Sequence, residues 1–290
     1  MVMLAGVCLS SGGLIVRFIE AADGWQILFY RSVSFVVTLF AFIALRYRGR
    51  IVAPFRDIGW PGVIVALTLG VGFSCYLFGI VLTTVANVSF IVSAGPFFAA
   101  LLAWFVLGER VHPATLLAIA AAMVGIALMF ADGIAGGHLL GNLVALMAPL
   151  TFAIMVVTIR RARTRDLLPA TCLAGLVAGL IALPMVESFR LSDHDLLLAL
   201  LLGSGQVGLG FLLITLGARH VPAAEVALLA LTETILAPTW VWIFVDEVPS
   251  PLALAGGGIV LTAVFGQGLM GLFRERATAR ISKLEPGHGG

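Results

Sequence analysis

Residues 94–109 read AGPFFAALLAWFVLGE, and residues 232–247 read TETILAPTWVWIFVDE. Each stretch is an apolar run that closes on an acid, with a proline four residues later. A gap-free offset of 138 residues aligns the two copies. Identical pairs include Ala86 and Ala224, Trp104 and Trp242, Glu109 and Glu247, and Pro113 and Pro251. An internal repeat of this kind indicates two related halves.

The composition around these stretches requires a lipid bilayer. The 290 residues are 61% hydrophobic and 11% charged, whereas an ordinary soluble domain is about 45–50% apolar and about 25% charged. These proportions argue against a cytosolic enzyme, a nucleic-acid binder and a disordered chain. The apolar runs are long and do not alternate, as in 197–202 and 259–265, so helices are expected and a β-barrel is not.

The apolar runs fit ten spanning helices, since one such helix needs about 20 residues. The predicted helices lie at about 1–19, 24–46, 59–81, 86–107, 113–131, 139–160, 167–186, 196–217, 221–245 and 249–273. The predicted fold class is therefore an all-α polytopic membrane protein with ten transmembrane helices. Nothing between these segments is long enough to form a soluble domain.

Five spans in each half is an odd number, so the second half must lie upside down in the membrane relative to the first. We predict a first repeat over 1–138, a second, inverted repeat over 139–273, and a cytoplasmic tail over 274–290. Inverted repeats of this kind enclose a central cavity with a substrate site near the middle of the bilayer.

The basic residues predict the orientation of the chain. If the N-terminus is cytoplasmic, 14 of the 17 Lys and Arg residues fall in loops or the tail on that side. Only Arg17, Arg31 and Arg190 fall on the other side. Positive charge concentrates in short cytoplasmic loops. Both ends of the chain are therefore expected in the cytoplasm.

The motif at 94–109 resembles the helix-ending signature of EamA-type carriers, which belong to the drug/metabolite transporter superfamily. In the second copy, Glu233 and Glu247 hold the two acidic positions of that signature, while Thr234 stands where the family usually has proline. Arg31, within Tyr-Arg-Ser of helix 2, is also similar to the family pattern. Among these carriers the chain most resembles the YddG-like amino-acid exporters.

The resemblance implies a basket of helices 1–4 and 6–9 around the cavity, with helices 5 and 10 at the periphery. It further implies a bacterial inner-membrane protein that moves small metabolites, often outward. We therefore predict a secondary transporter that exports amino acids, aromatic ones included, by alternating access. Carriers of a nucleoside, a polyamine or a cationic compound are the alternatives. The driving force, either facilitated diffusion or proton antiport, stays open, and no cofactor is expected. A homodimer through the peripheral helices is a further expectation.

Two charged residues lie inside predicted helices, where such groups are costly unless they are paired or face water. Glu233 lies about 12 residues into helix 9, or about 18 Å, near the middle of the membrane. Its carboxyl group either takes up a proton, holds a substrate ammonium group or is hydrogen-bonded between helices. Arg31 lies about 10 Å inside helix 2. Its planar fork suits a substrate carboxylate, and the alternatives are snorkelling and pairing with an acid.

Further polar and aromatic residues complete the predicted site. The substrate-binding set is Arg31, Tyr76, Asn87, Phe90, Ser93, Gln206 and Glu233, and the gating set is Pro96 and Pro238. Gln206 is either interhelical glue or part of the cavity lining. The prolines free backbone carbonyls and are either bending points or simple kinks. Arg17 has Glu20 three residues on, a helical-neighbour spacing that predicts a structural ion pair.

Other functional classes find little support. The five histidines fall in loops or ends, and the three cysteines lie far apart in apolar runs. This pattern predicts no catalytic residues, no metal site and no disulfide. A channel would show a repeated filter or a charged ring. A structural or scaffolding membrane protein stays an alternative, although Arg31, Gln206 and Glu233 inside the membrane would then cost free energy without serving transport.

Overall fold

The structure, a computed structural model, describes residues 2–48, 52–109, 111–162, 168–217 and 223–284. The first half contains α1 in two segments, Val2–Ser10 and Gly12–Arg17, α2 over Gly24–Arg46, α3 over Gly59–Leu82, α4 in two segments, Val85–Ser93 and Gly95–Leu107, and α5 over Pro113–Ala135. The second half contains α6 over Leu139–Ala162, α7 over Leu168–Ala182, α8 over Asp193–Leu201, Leu202–Gly208 and Leu209–Gly217, α9 over Ala223–Val245, and α10 over Pro251–Leu284. Between α2 and α3 lies a short helix, Val52–Asp57, and a 3-10 turn, Leu183–Met185, follows α7.

The described residues form ten spans, as the apolar runs predict. Eight helices are long and apolar enough to cross a bilayer, and two shorter apolar segments, Met3–Arg17 and Thr232–Val245, belong to α1 and α9. The described part of the chain therefore holds ten apolar helical segments, as many as the predicted spans. We call the face at which α1 begins the near face, and the face at which it ends the far face.

Several helices depart from their predicted bounds. The last helix runs to Leu284, eleven residues past its predicted end at 273. Helix α8 begins at Asp193 because the Ser192 hydroxyl caps it by accepting the N–H of Asp195 at 3.1 Å. Helix α4 breaks at Ala94. The predicted start of helix 9 at 221 and the loop over 163–167 lie outside the described residues.

The contacts between helices follow a two-fold exchange of the halves, in which α1–α5 take the places of α6–α10. The contact of α3 with α6 corresponds to the contact of α8 with α1. In the same way, the contact of α4 with α6 corresponds to that of α9 with α1. Three contacts join equivalent helices directly, namely α2 with α7, α4 with α9, and α5 with α10. Because each half has five spans, this exchange also turns the second half over. The fold is an inverted repeat of two five-helix units.

Helices α5 and α10 pack chiefly against each other, at the edge of the bundle. They approach through glycines, since a methyl group on Gly125 would meet the carbonyl oxygen of Gly256, and one on Gly256 would meet that of Gly125. Small residues allow this close backbone approach, which replaces hydrophobic driving force inside a membrane. The remaining eight helices form the central bundle.

The largest buried apolar cluster lies toward the far face. It joins the first turns of α2 and α4 to the last turns of α3 and α9, with Leu28, Ile80, Val88 and Val241 at its centre. Toward the near face the described core divides into separate clusters, one around Leu39 and others elsewhere. Within the described residues, the far side of the bundle is therefore the more continuously packed.

The loop before α2 is held by a buried carboxylate. Asp195, at the start of α8, accepts the backbone N–H groups of Glu20, Ala21 and Ala22 at 3.1, 2.9 and 3.0 Å. Because a carboxylate that accepts several N–H groups is well solvated by them, burial of this charge is tolerated. The contact fixes α2 against α8 and so sets the position of Arg31.

Candidate functional site

Arg31 projects into the bundle from the second turn of α2. Its side chain is nearly buried, with 6% of the residue exposed. One guanidinium nitrogen, Nη1, donates to the carbonyl of Phe73 on α3 at 3.3 Å. No carboxylate of a described residue pairs with it. A guanidinium carries five N–H donors, so a cation with spare donors is held inside the membrane.

Aromatic rings form one wall beside this cation. The Arg31 guanidinium carbon lies 5.9 Å from the centre of the Phe73 ring, at cation–π distance. Phe73 in turn contacts Phe35 and Phe211 edge to face, at 5.5 and 5.6 Å between ring centres. The π-helical turn of α8 closes the group, because a methyl group on Gly203 would meet the backbone carbonyl of Arg31.

A small recess opens between these groups, with a volume of about 10 Å³, enough for about one water molecule. It is lined by Arg31, Ser32, Phe35, Phe73, Gly175 and Val207. The Ser32 hydroxyl makes no hydrogen bond with a described residue, although Ser32 is buried, with only 5% of the residue exposed. Buried hydroxyl groups are normally hydrogen-bonded. The recess therefore offers a free hydroxyl beside a guanidinium with unused donors.

Tyr76 and Glu233 extend this polar group across the bundle. Tyr76, three residues after Phe73 on α3, lies within electrostatic range of both Arg31 and Glu233. Glu233, about 15 Å from the first residue of α9 at 1.5 Å per residue, is half-buried. Among the described residues, none forms a hydrogen bond or an ion pair with its carboxyl group. A cation and an acid, neither with a carboxylate or cationic partner among the described residues, thus both lie within electrostatic range of the Tyr76 phenol.

Gln206 lies apart from this group and holds two helices together. It sits in the π-helical turn of α8, and its Nε2 donates to the carbonyl of Leu9 on α1 at 2.8 Å. Its amide packs against Gly12, where a methyl group would collide with it. Of the two roles predicted for Gln206, these contacts fit the one in which its side chain joins two helices rather than lining the cavity.

Asn87 belongs to a separate buried network. Its Nδ2 donates to Asn142 Oδ1 at 3.2 Å and to Thr83 Oγ1 at 3.4 Å. The Asn142 amide in turn donates to the carbonyl of Met129 at 3.0 Å. This network joins α4 to α6 and α5 near the far face, and Asn87 does not join Arg31 and Glu233.

Phe90 and Ser93 also point away from the polar group. The Phe90 ring lies over Gly257 of α10, with no room for a methyl group there. The Ser93 hydroxyl donates to the carbonyl of Phe90 at 2.7 Å, within its own helix. Of the seven predicted binding residues, Arg31 and Glu233 are each within electrostatic range of Tyr76, and no hydrogen bond among described residues joins the three.

The two predicted gating prolines differ. Pro96 is exposed and opens the second segment of α4, directly after the break at Ala94. Pro238 is buried inside α9, which stays continuous through it. A third proline, Pro149, lies inside α6. The gating role of Pro96 and Pro238 stays a prediction.

The predicted pairing of Arg17 with Glu20 is wrong. Arg17 Nε donates to Glu247 Oε2 at 2.7 Å, across 230 residues of sequence. Glu20 instead contributes its backbone N–H to Asp195. Side chains three residues apart are neighbours only where both lie in one helix. Helix α1 ends at Arg17, so Glu20 lies outside it. The repeated closing acids were the available signal for this pair.

Sequence reasoning also missed Ser32 and Phe35, because a serine and a phenylalanine in an apolar helix carry no chemical signature. No group of three or more His, Cys, Asp or Glu side chains suited to a metal ion occurs among the described residues.

Ten helices in two inverted halves, with a charged group held between them, define a multi-pass membrane transporter. The model of the EamA-like transporter family matches residues 1–131 and 139–267. The chain belongs to the EamA-like transporter family, whose members are transporters and not enzymes.

The chain is also similar to a named exporter and to a solved structure. The chain is 28% identical over 246 residues to the pseudopaline exporter CntI of two strains of Pseudomonas aeruginosa, UCBPP-PA14 and PAO1, covering 82% of this chain and 84% of the relative in each case. A solved crystal structure matches with a TM-score of 0.65 at 18% identity, over 91% of this chain and 94% of the other. The structural match supports the fold.

Proposed function

We propose that this protein exports amino acids, or small metabolites built from them, across the bacterial inner membrane by alternating access. The observation that carries the proposal is that Arg31 is buried with unused donors and that Glu233 has no hydrogen-bond or ion-pair partner among the described residues. An α-amino acid has one carboxylate and one ammonium group, and these two side chains offer a cation and an acid. A charge left unpaired inside a membrane is costly unless a ligand or water meets it.

The substrate carboxylate binds Arg31 in this proposal. A guanidinium holds a carboxylate through two parallel hydrogen bonds, which is stronger and more directional than a single contact. The free hydroxyl of Ser32 adds a third donor in the same recess. The recess must widen to admit a carboxylate, because its volume of about 10 Å³ has room for only about one water molecule.

The substrate ammonium group binds Glu233, with the Tyr76 hydroxyl between the two ends of the site. The rings of Phe35, Phe73 and Phe211 line the Arg31 end, and flat apolar walls accept many side chains with modest discrimination. Broad specificity, aromatic amino acids included, follows. The naming of a relative as an exporter of a small metabolite supports the outward direction of transport.

A cationic compound is the second candidate, and the unpartnered Glu233 favours it. In that case the acid binds the cation, and Arg31 serves only to hold α2 to α3 through Phe73. The two candidates differ in one chemical respect, because only the amino acid needs its carboxylate.

The test is transport into proteoliposomes of labelled phenylalanine, phenylalanine amide and phenethylamine. The proposal expects saturable transport of phenylalanine and at least tenfold weaker competition by the two compounds without a carboxylate, which corresponds to about 1.4 kcal/mol. Equal or stronger competition by phenethylamine identifies the cationic carrier instead. Empty liposomes and the Arg31→Met variant are the controls.

Both ends of the chain lie in the cytoplasm in this proposal, because 14 of 17 basic residues then face that side. Alkaline phosphatase and fluorescent-protein fusions after Arg163 and after Arg280 are expected to report cytoplasm at both sites. A fusion after Asp195, at the far face, is the matched control and reports periplasm. A periplasmic signal after either arginine contradicts the orientation.

Movement of the halves accompanies transport, with Pro96 and Pro238 as bending points of α4 and α9. We also propose that a homodimer forms through α5 and α10, whose outer surfaces expose apolar side chains such as Leu117 and Leu254. The repeat boundary at 138 and 139 belongs to the same proposal.

A further inference from the structure

Two ion pairs in the structure each join the first half of the chain to the second. Arg17 at the end of α1 donates to Glu247, which follows α9, at 2.7 Å. Arg160 near the end of α6 donates to Glu109, which follows α4, also at 2.7 Å. In both pairs an arginine at the end of the first helix of one half meets the closing acid of the other half.

The two pairs are equivalent under the exchange of the halves. Glu109 and Glu247 are the repeated acids at the offset of 138 residues, and α1 and α6 are the corresponding first helices. Because the second half is inverted, the equivalents lie on opposite membrane faces. Glu247 and Arg17 lie at the far face, and Glu109 and Arg160 lie at the near face.

The far pair is the more strongly held. Its side chains are 24% and 17% exposed, against 53% and 50% in the near pair. Arg17 also donates to the carbonyl of Thr83 at 2.8 Å, and Glu247 accepts the N–H of Val85 at 2.7 Å. The far pair therefore ties α1 and α9 to the turn between α3 and α4, beside the large apolar cluster of the same face.

We propose that these two pairs are the latches of the transport cycle. A cavity can open to one face only if the two halves separate there, and each pair bridges the halves at one face. The far latch breaks when the site opens to the far face, while the near latch holds, and the reverse follows on return. The stronger far latch makes the state closed at the far face the resting state.

This inference rests on the transport function but not on the identity of the substrate. Its test therefore measures the conformation without any substrate. A reporter cysteine replaces Ser32 in the recess, in a variant whose Cys8, Cys75 and Cys172 are changed to alanine. Its reaction with a membrane-impermeant maleimide is timed in right-side-out and inside-out vesicles.

Glu247→Gln is expected to raise the reaction rate from the far face by about fivefold to tenfold, because a half-buried, charge-assisted pair is lost. Glu109→Gln is expected to raise the rate from the near face by about twofold, as an exposed pair contributes less. The double variant Arg17→Glu with Glu247→Arg restores the attraction but not the bonds to Thr83 and Val85, and it is expected to return the rate only part of the way toward that of the parent. Glu187→Gln, an exposed acid outside both pairs, is the matched control.

A rate that rises from one face only in Glu247→Gln and from the other face only in Glu109→Gln supports the latches, whatever orientation the chain takes. A rise from the same face in both variants, or rates equal to the parent in both, overturns them. If Glu247→Gln does not fold, Arg17→Gln removes the same bond from the other side and is judged by the same rule. Failure of phenylalanine transport alone leaves these rates unchanged, so the two proposals fail separately.

Discussion

Replacing Arg31 with methionine is expected to lower the apparent affinity for phenylalanine by about 30-fold or more. Removal of one partner from a buried, hydrogen-bonded charge pair costs about 2–5 kcal/mol, and each 1.4 kcal/mol is about tenfold in affinity. Methionine keeps much of the length and apolar packing of the side chain, so the loss reports the charge and its donors. The measurement is the KM for counterflow of labelled phenylalanine in proteoliposomes.

Arg31→Lys is expected to lie between the parent and the methionine variant. A lysine keeps the charge but cannot make two parallel hydrogen bonds to a carboxylate, so a loss of about tenfold is expected. Arg56→Met, on the exposed short helix over Val52–Asp57, is the matched control and leaves KM unchanged. A parental KM in well-expressed Arg31→Met shows that this arginine does not contact the substrate.

Glu233→Gln is expected to lower affinity for phenylalanine by about tenfold to 100-fold, and to lower both net efflux and exchange. A glutamine keeps the shape and hydrogen bonding of the acid but loses its attraction for an ammonium group, and hydrogen bonds to charged groups contribute about 1.5–3 kcal/mol. KM is measured at fixed pH from 6 to 8, with Glu187→Gln as the control at an exposed acid.

The same variant separates two chemical roles of Glu233. If the carboxyl group carries a proton in exchange for substrate, the glutamine variant loses the pH dependence of net efflux while exchange of substrate continues. If it binds the ammonium group, affinity falls at every pH. A glutamine variant whose pH–rate curve superimposes on the parental curve contradicts both roles and leaves a structural one.

The number of spans and the two-half organisation could be predicted from the sequence because both depend on one-dimensional quantities. Span count follows from the length of apolar runs, and the inversion follows from an odd number of spans in each half. The repeated acids Glu109 and Glu247 marked equivalent helix ends, and the structure places both in ion pairs between the halves. Composition alone required the membrane.

The depth of a residue in the membrane could also be predicted from the sequence, but the direction of its side chain could not. In a soluble helix an apolar stripe identifies the buried face. A membrane helix is apolar on every face, because lipid is as apolar as the protein interior. From depth alone, Arg31 and Glu233 are predicted as charges in the interior of the bundle. The same criterion also selects Gln206, Asn87 and Phe90 as site residues, and the structure turns those three side chains toward neighbouring helices.

Apolar run lengths and the internal repeat are enough to predict a ten-span membrane protein of two inverted halves with charged groups inside it. The partners that those groups take become visible only once the helices are packed. Arg17 pairs with Glu247, 230 residues away, and not with nearby Glu20, and Gln206 bonds to Leu9, 197 residues away. Such choices depend on how helices rotate and pack against one another, and that information is absent from the hydropathy of any single helix.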